Sequence, residues 1–135
     1  MSKHKVFSLP VRVYFQDTDA GGVVYHASYV NFMERARTEW LRTFGYSNAG
    51  LMKAFSVVFV VRSLKLDYFK PALLDDLLDI TAQIKDIGRS RVTLLQTVTR
   101  GDELLTEGEV HLVCVKLDTF KPTAVPDVLR NQWKG

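Results

Sequence analysis

From Ser28 to Gly45 the apolar residues recur at helical spacing, and this one long stripe limits what the chain can build. Tyr29, Met33, Ala36, Trp40 and Phe44 fall on one side of a helix, with Glu34, Arg35, Thr38, Glu39 and Arg42 largely on the other. Ser28 is a plausible N-cap and Gly45 a plausible C′ stop, and "NAGLMKAF" suggests a short second helix. The flanking segments alternate instead, with the period of a strand.

A first strand is expected over "FSLPVRVYF" (7–15), with Pro10 placing it at an edge or bulge. Strands follow at 57–69, 77–87, 91–100 and 109–117, separated by Pro71, "GRS" and "GDELL". Within "LLDITAQIKDI", Leu78, Ile80, Ala82 and Ile84 share one face. These runs look like consecutive hairpins in an antiparallel sheet, with Gly108 marking a bulge and a short helix ending the chain. One helix has one apolar stripe, whereas a sheet has two faces. The sheet is therefore expected to curl around the helix in a single α+β domain spanning 1–135. An open edge strand would favour a symmetric oligomer with one continuous sheet.

At 135 residues the chain can bury a substantial core, and 47% hydrophobic with 24% charged residues is the composition of a folded domain. A net charge of +3 suits an anionic small molecule as well as it suits nucleic acid. Nucleic acid is disfavoured because the aromatics fall at core-like positions. Cys114 is the lone cysteine and sits in the apolar "VHLVCVKL", which reads as a buried thiol. His4, His26 and His111 are too scattered for a metal site, and no phosphate-binding or dinucleotide motif occurs, so no cofactor is expected. Neither a signal-peptide core nor a membrane-spanning run is present, so a cytoplasmic location is expected.

The chemistry concentrates in "YFQDTDAGGVVYHASY" (14–29). Asp17 and Asp19 can be turn residues leading into Gly21 and Gly22. They can also present a carboxylate to a substrate that approaches the glycine backbone. A helix starting between His26 and Ser28 adds free backbone N–H groups and the positive end of a dipole, which stabilise an anion or a forming oxyanion. A carboxylate beside an oxyanion-stabilising helix end is the equipment of acyl transfer.

"VRVYFQDTDAGGVVYHASYVNFMERARTEWL" closely resembles the signature of the 4-hydroxybenzoyl-CoA thioesterase family, in particular its Tol–Pal-associated acyl-CoA thioesterases of the YbgC type. The similarity continues through "FVVRSLKLDYFKPALLDDLLDI" and "HLVCVKLDTFKP". It implies the hotdog fold, a five-stranded antiparallel sheet wrapped around a long central helix. It also implies homodimers, often paired into homotetramers, with active sites at the dimer interface. The substrate implied is an acyl-CoA, or an acyl group delivered by acyl carrier protein. By the same resemblance Asp19 is the catalytic carboxylate, as general base or nucleophile, and Tyr25 to His26 supply the backbone donor for the thioester carbonyl. His26 matches the family's histidine. Arg89, Ser90 and Arg91 in "IGRSR" stand where basic residues hold the nucleotide end of CoA. The pattern departs at Phe15, where YbgC-type members often carry tyrosine, and Tyr14 would face the other way in a strand. Two other readings stay open: a hotdog dehydratase using His26 with Glu34, and a non-catalytic acyl-binding protein.

Overall fold

The alternation in the strand-like runs places their apolar residues on one face of a single antiparallel sheet. In a computed structural model describing residues 5–134, which leaves His4 outside, the chain forms β1 (Phe7–Arg12), α1 (His26–Arg42), α2 (Asn48–Phe55) and β2 (Val57–Tyr68). It continues through β3 (Leu77–Ile87), β4 (Arg91–Arg100), β5 (Glu103–Lys116) and α3 (Asp127–Lys134). The sheet order is β1-β3-β4-β5-β2, with every neighbouring pair antiparallel. The buried stripe of α1, including Tyr29, Phe32, Met33, Ala36 and Trp40, lies on the inner face of the sheet formed by residues such as Leu78, Ile80, Leu94 and Val110. This is the expected hotdog arrangement.

Several boundaries differ from the sequence reading. Only β3–β4 and β4–β5 are hairpins; β2 pairs with β5 at the far edge because β1 and β4 already occupy both sides of β3. β1 stops at Arg12 instead of residue 15, since a 3-10 turn at Phe15–Asp17 competes with strand extension. That turn is closed by the Asp17 carboxylate, which accepts the Tyr14 amide at 2.8 Å, and by Asp17 N–H donating to Tyr14 O at 2.9 Å. β5 begins at Glu103, so most of "GDELL" is strand; Gly101, at φ +59°, allows the tight reversal that pairs Arg100 with Glu103. The helix starts two residues before Ser28, whose buried hydroxyl donates to Asp17 O at 3.3 Å and caps nothing.

Gly108 is not a bulge. It pairs in register with Leu66 and Gln96, while the irregularities fall at Val61/Ser63, Ile84/Asp86 and Val98/Thr99. A Cβ at Gly108 would lie 2.7 Å from Leu66 Cδ2 and 3.1 Å from Met33 Sδ, so the bare backbone lets α1 settle onto the sheet. Beside it, fully buried Gln96 pins the helix: its Nε2 donates to Met33 O at 3.0 Å and to Thr81 O at 3.2 Å, and its Oε1 accepts from Arg37 at 3.0 Å. Cys114 is buried as expected, and burial pushes its thiol up to about 11.

The two edges of the sheet are unlike. β1 has six residues and carries Pro10, which lacks an N–H to offer outward. Among the described residues, β2 runs for twelve residues and pairs only with β5. No helix among the described residues is long and apolar enough to cross a membrane.

Candidate active site

The motif between β1 and α1 forms a small closed loop. Thr18 and Val24 make an antiparallel bridge, Asp19 N–H donates to Val23 O at 2.9 Å, and Gly22 N–H donates to Asp19 O at 3.1 Å. Gly22 has φ +77°, which a side chain would strain. The two acids are bonded differently. Asp17 is buried and structural: its carboxylate holds Tyr14, and its carbonyl accepts the Tyr25 amide at 2.9 Å. Asp19 is exposed; its Oδ1 accepts the Gly21 amide at 2.8 Å and the Val23 amide at 3.4 Å. Its Oδ2 carries no described hydrogen bond.

Asp17–Asp19 runs antiparallel to Val23–Tyr25, so Asp19 stands opposite Val23, within about 10 Å of the helix start three residues on. The N-cap Tyr25 supplies no side-chain acceptor, and Ser28 N–H bonds back to Tyr25 O at 2.9 Å. Among the described residues this leaves the His26 and Ala27 amides unpartnered. The Tyr25 amide, expected as an oxyanion donor, is already committed to Asp17 O, so of the expected pair the His26 amide is the one without a described partner.

The His26 ring does not bond to Asp19 among the described residues. It packs on Tyr68 with centroids 4.9 Å apart, and Tyr68 packs edge-on against Tyr29 at 5.3 Å. Burial raises the pKa of both tyrosines, so both are neutral phenols at physiological pH. The Tyr29 hydroxyl oxygen accepts the Ala72 amide at 3.0 Å, and the segment around Ala72 braces the loop: Val24 N–H donates to Ala72 O and Leu74 N–H to Gly22 O. Arg100 fixes that segment from below through Asp76 at 2.7 Å. In the sequence Tyr29 reads only as part of the apolar helix stripe, and Tyr68 and Ala72 do not stand out. "DYFKPAL" contains two of them, but its pairing with residues 22–24 is long-range and leaves no local mark.

Arg89, Ser90 and Arg91 form the β3–β4 turn, closed by Gly88 N–H to Arg91 O at 2.8 Å. Ser90 O accepts the Cys114 amide and Arg89 O the Val125 amide, while both arginine side chains are exposed. The turn is not beside Asp19. The eleven residues of β3 separate them, about 35 Å along the strand. Glu34 is likewise remote from His26, two turns further along α1, at the rim of a cleft of about 300 Å³ between α1, α2 and β2. No described group of three His, Cys, Asp or Glu side chains is placed to hold a metal. Chemically, the loop offers one free carboxylate oxygen, an uncapped helix N-terminus, and an aromatic wall of His26 and Tyr68.

Residues 13–133 match the family model of the thioesterase-like superfamily. The chain is 49% identical over 130 residues to the acyl-CoA thioester hydrolase YbgC of Escherichia coli O6:H1, covering 96% of each. It is 44% identical over 120 residues to the acyl-CoA thioesterase YbgC of Haemophilus influenzae, covering 89% of this chain and 88% of that protein. A probable thioesterase from Bartonella henselae superposes with a TM-score of 0.86 at 34% identity, covering 90% of this chain and all of that one.

Proposed function

The chain belongs to the thioesterase-like superfamily and is an acyl-CoA thioester hydrolase, and on that premise we propose that Asp19 is its catalytic carboxylate and the His26 amide its oxyanion donor. The observation that carries the assignment is the free Oδ2 of Asp19, held by a loop that also leads into the uncapped start of α1. A thioester carbonyl is less resonance-stabilised than an ester, and a thiolate leaves without needing a strong general acid. One carboxylate and an oxyanion site therefore suffice. In the general-base route Asp19 takes a proton from water as the water oxygen bonds to the carbonyl carbon. The resulting oxyanion rests on the α1 terminus, then collapses and expels CoA thiolate. In the nucleophilic route Oδ2 bonds to the carbonyl carbon and CoA thiolate leaves; water then attacks the Asp19 carboxyl carbon of the mixed anhydride, which releases the free acid with the former Oδ2 and restores the carboxylate with the water oxygen. A donor of this kind contributes roughly 100- to 1000-fold to rate. The His26 and Tyr68 rings form the wall against which the acyl group enters.

The separation of Asp19 from the arginine turn supports a homodimer. Tyr68, at one end of β2, touches His26. Val57, at the other end, pairs with Lys116 on the β5 segment that bonds to Ser90. Antiparallel pairing of two β2 edges about a twofold axis carries the partner's arginine turn toward Asp19. There the guanidinium forks of Arg89 and Arg91, with the Ser90 hydroxyl, bind the nucleotide phosphates of CoA. Further pairing into a tetramer, acyl carrier protein as a second acyl donor, a cytoplasmic location and association with the Tol–Pal system belong to the same proposal and rest on the family resemblance.

The test is thiol release by the purified chain from short, long and aromatic acyl-CoAs, followed by a single turnover in ¹⁸O-labelled water. Thiol release with label entering only the product in the first turnover supports the general base. An unlabelled first product, with ¹⁸O left in the Asp19 peptide, supports the nucleophile. No release from any acyl-CoA would remove the assignment.

A further inference from the structure

The turn Leu73–Asp76, between β2 and β3, is held more tightly than a plain connection requires, and charge does much of the holding. Arg100, at the end of β4, donates through Nη1 to Asp76 Oδ2 at 2.7 Å and to Pro71 O at 3.3 Å. Its Nε and Nη2 donate to Glu103 Oε1 at 3.2 and 2.7 Å, which fixes the guanidinium plane from the side of β5. Only 30% of the Arg100 side chain and 20% of the Asp76 side chain are exposed, so the pair is partly shielded from salt. Asp76 Oδ2 also accepts the Leu73 amide at 2.8 Å, and one oxygen thereby ties the start of the turn to β4. Asp75 lies at φ +70°, in the left-handed region that a side chain enters at a cost. Such a conformation persists only where its surroundings impose it. Here Arg12 Nη1 donates to Asp75 O at 2.7 Å, Asp75 N–H donates to Val13 O at 3.1 Å, and Arg100 holds the next residue.

The other side of this turn carries the loop of Asp19. Leu74 N–H donates to Gly22 O at 3.0 Å, Val24 N–H donates to Ala72 O at 2.9 Å, and Val23 bridges Leu73. Within the loop, the Gly21 and Val23 amides are the donors to Asp19 Oδ1. A short chain of bonds therefore runs from β4 to the carboxylate: Arg100 to Asp76, Asp76 to Leu73, the Leu73–Leu74 pair to Gly22 and Val23, and these to Asp19. We propose that Arg100 is a positioning residue for hydrolysis: through Asp76 it sets the Leu73–Asp76 turn, and through that turn the place of the Asp19 carboxylate relative to the start of α1. The inference rests on the assignment of Asp19 as the catalytic carboxylate. Arg100 has no described bond to the Asp19 loop itself, so its effect falls on turnover of the bound substrate rather than on affinity. A neutral side chain at this position leaves Asp76 without its counter-charge. The left-handed turn then relaxes, and the loop moves with it. Displacing a reacting group by about 1 Å costs on the order of 100-fold in rate.

The experiment measures kcat and KM on the acyl-CoA that the unaltered chain hydrolyses fastest, together with amide hydrogen exchange followed by NMR. Arg100→Gln should lower kcat about 10- to 100-fold while KM stays within about threefold. Exchange at the Leu74, Val24 and Gly21 amides should quicken about tenfold or more, while amides around buried Leu94 stay protected and show the fold intact. Arg100→Lys keeps a cation for Asp76 and should recover most of the rate. Asp76→Asn should slow turnover as Arg100→Gln does, and the double variant should be no slower than the slower single one, because both remove the same bond. Lys85→Gln breaks an ion pair with Glu109 on the same sheet and should leave kcat unchanged. The proposal falls if Arg100→Gln keeps the parent kcat, if the loss appears in KM alone, or if kcat drops without a change in exchange at Leu74 and Gly21. It falls equally if Arg100→Lys is as slow as Arg100→Gln, or if the two losses multiply in the double variant. An Asp19→Asn protein at the parent rate would overturn the Asp19 assignment and this proposal with it; an inactive Asp19→Asn beside a fully active Arg100→Gln overturns this proposal alone.

Discussion

Replacing Asp19 by asparagine should separate chemistry from folding more cleanly than any other substitution in this chain. The Oδ1 of Asp19 accepts the Gly21 amide at 2.8 Å and the Val23 amide at 3.4 Å, whereas Oδ2 has no described partner. An asparagine keeps an oxygen at the first position and puts an NH₂ group at the second, where it displaces nothing. What is lost in the fold is the charge assistance of one good and one long hydrogen bond at an exposed site. Taking a net hydrogen bond as about 1 kcal/mol, and charge assistance as roughly doubling it, the cost is about 0.5–1 kcal/mol. For a domain of this size that lowers Tm by about 2–5 °C. The loss in rate is of another order: a carboxylate base contributes about 10²–10⁴-fold, or about 3–5 kcal/mol in the barrier. Asp17 provides the opposite case. Asp17→Ala leaves the part-buried Tyr14 amide without its charged acceptor and should cost about 1–3 kcal/mol in stability. The assays are thiol release from acyl-CoA and a thermal melt, run on both variants. An Asp19→Asn protein within about tenfold of the parent rate, or one that melts as early as Asp17→Ala, would refute the division of labour between the two acids.

Tyr29→Phe removes the only described acceptor of the Ala72 amide, a residue with no exposure, so urea unfolding should show a loss of about 1–3 kcal/mol without a change in m-value. Arg89→Ala combined with Arg91→Ala should raise KM for acyl-CoA while leaving hydrolysis of the matching acyl-pantetheine unchanged; equal effects on both would remove the nucleotide role. The pKa of the Cys114 thiol rises with folding from its ordinary 9.0 to about 11, so the folded state keeps a proton that the unfolded chain gives up. Its contribution is therefore complete below about pH 9 and lost as pH climbs through about 11, giving alkaline destabilisation that Cys114→Ala should flatten. Native Cys114 should also resist thiol reagents at neutral pH until denaturant is added.

The long helix, the short helix at Asn48–Phe55, β3 and β4 are legible in the sequence because each repeats its own period and each stops at its own glycine, proline or turn. The position of β2 is not legible. Its pattern states only that it is a strand, and its place beside β5 follows from β1 having taken the free side of β3. The same division runs through the site. The aspartates and the helix start stand out in one short motif, and the different bonding of the two carboxylates follows from the loop they close. The commitment of the Tyr25 amide to Asp17 O, the ring contact of His26 with Tyr68, and the distance from Asp19 to Arg89 depend on contacts between residues far apart in sequence. Gln96 is the plainest case: a lone polar residue in a strand reads as surface, yet it is the buried link between α1 and β3.

The inequality of the two edges also bears on what this chain does at high concentration. Strand-to-strand polymerisation needs every unit to present two open edges, one to receive and one to extend. β1 is short and interrupted by Pro10, so it makes a poor template, and β2 is the single edge free for pairing. Once two β2 edges meet, each unit shows the solution only a blocked strand. Growth would then terminate at the first step, and in the proposed homodimer the long β2 edge would be no template for fibres.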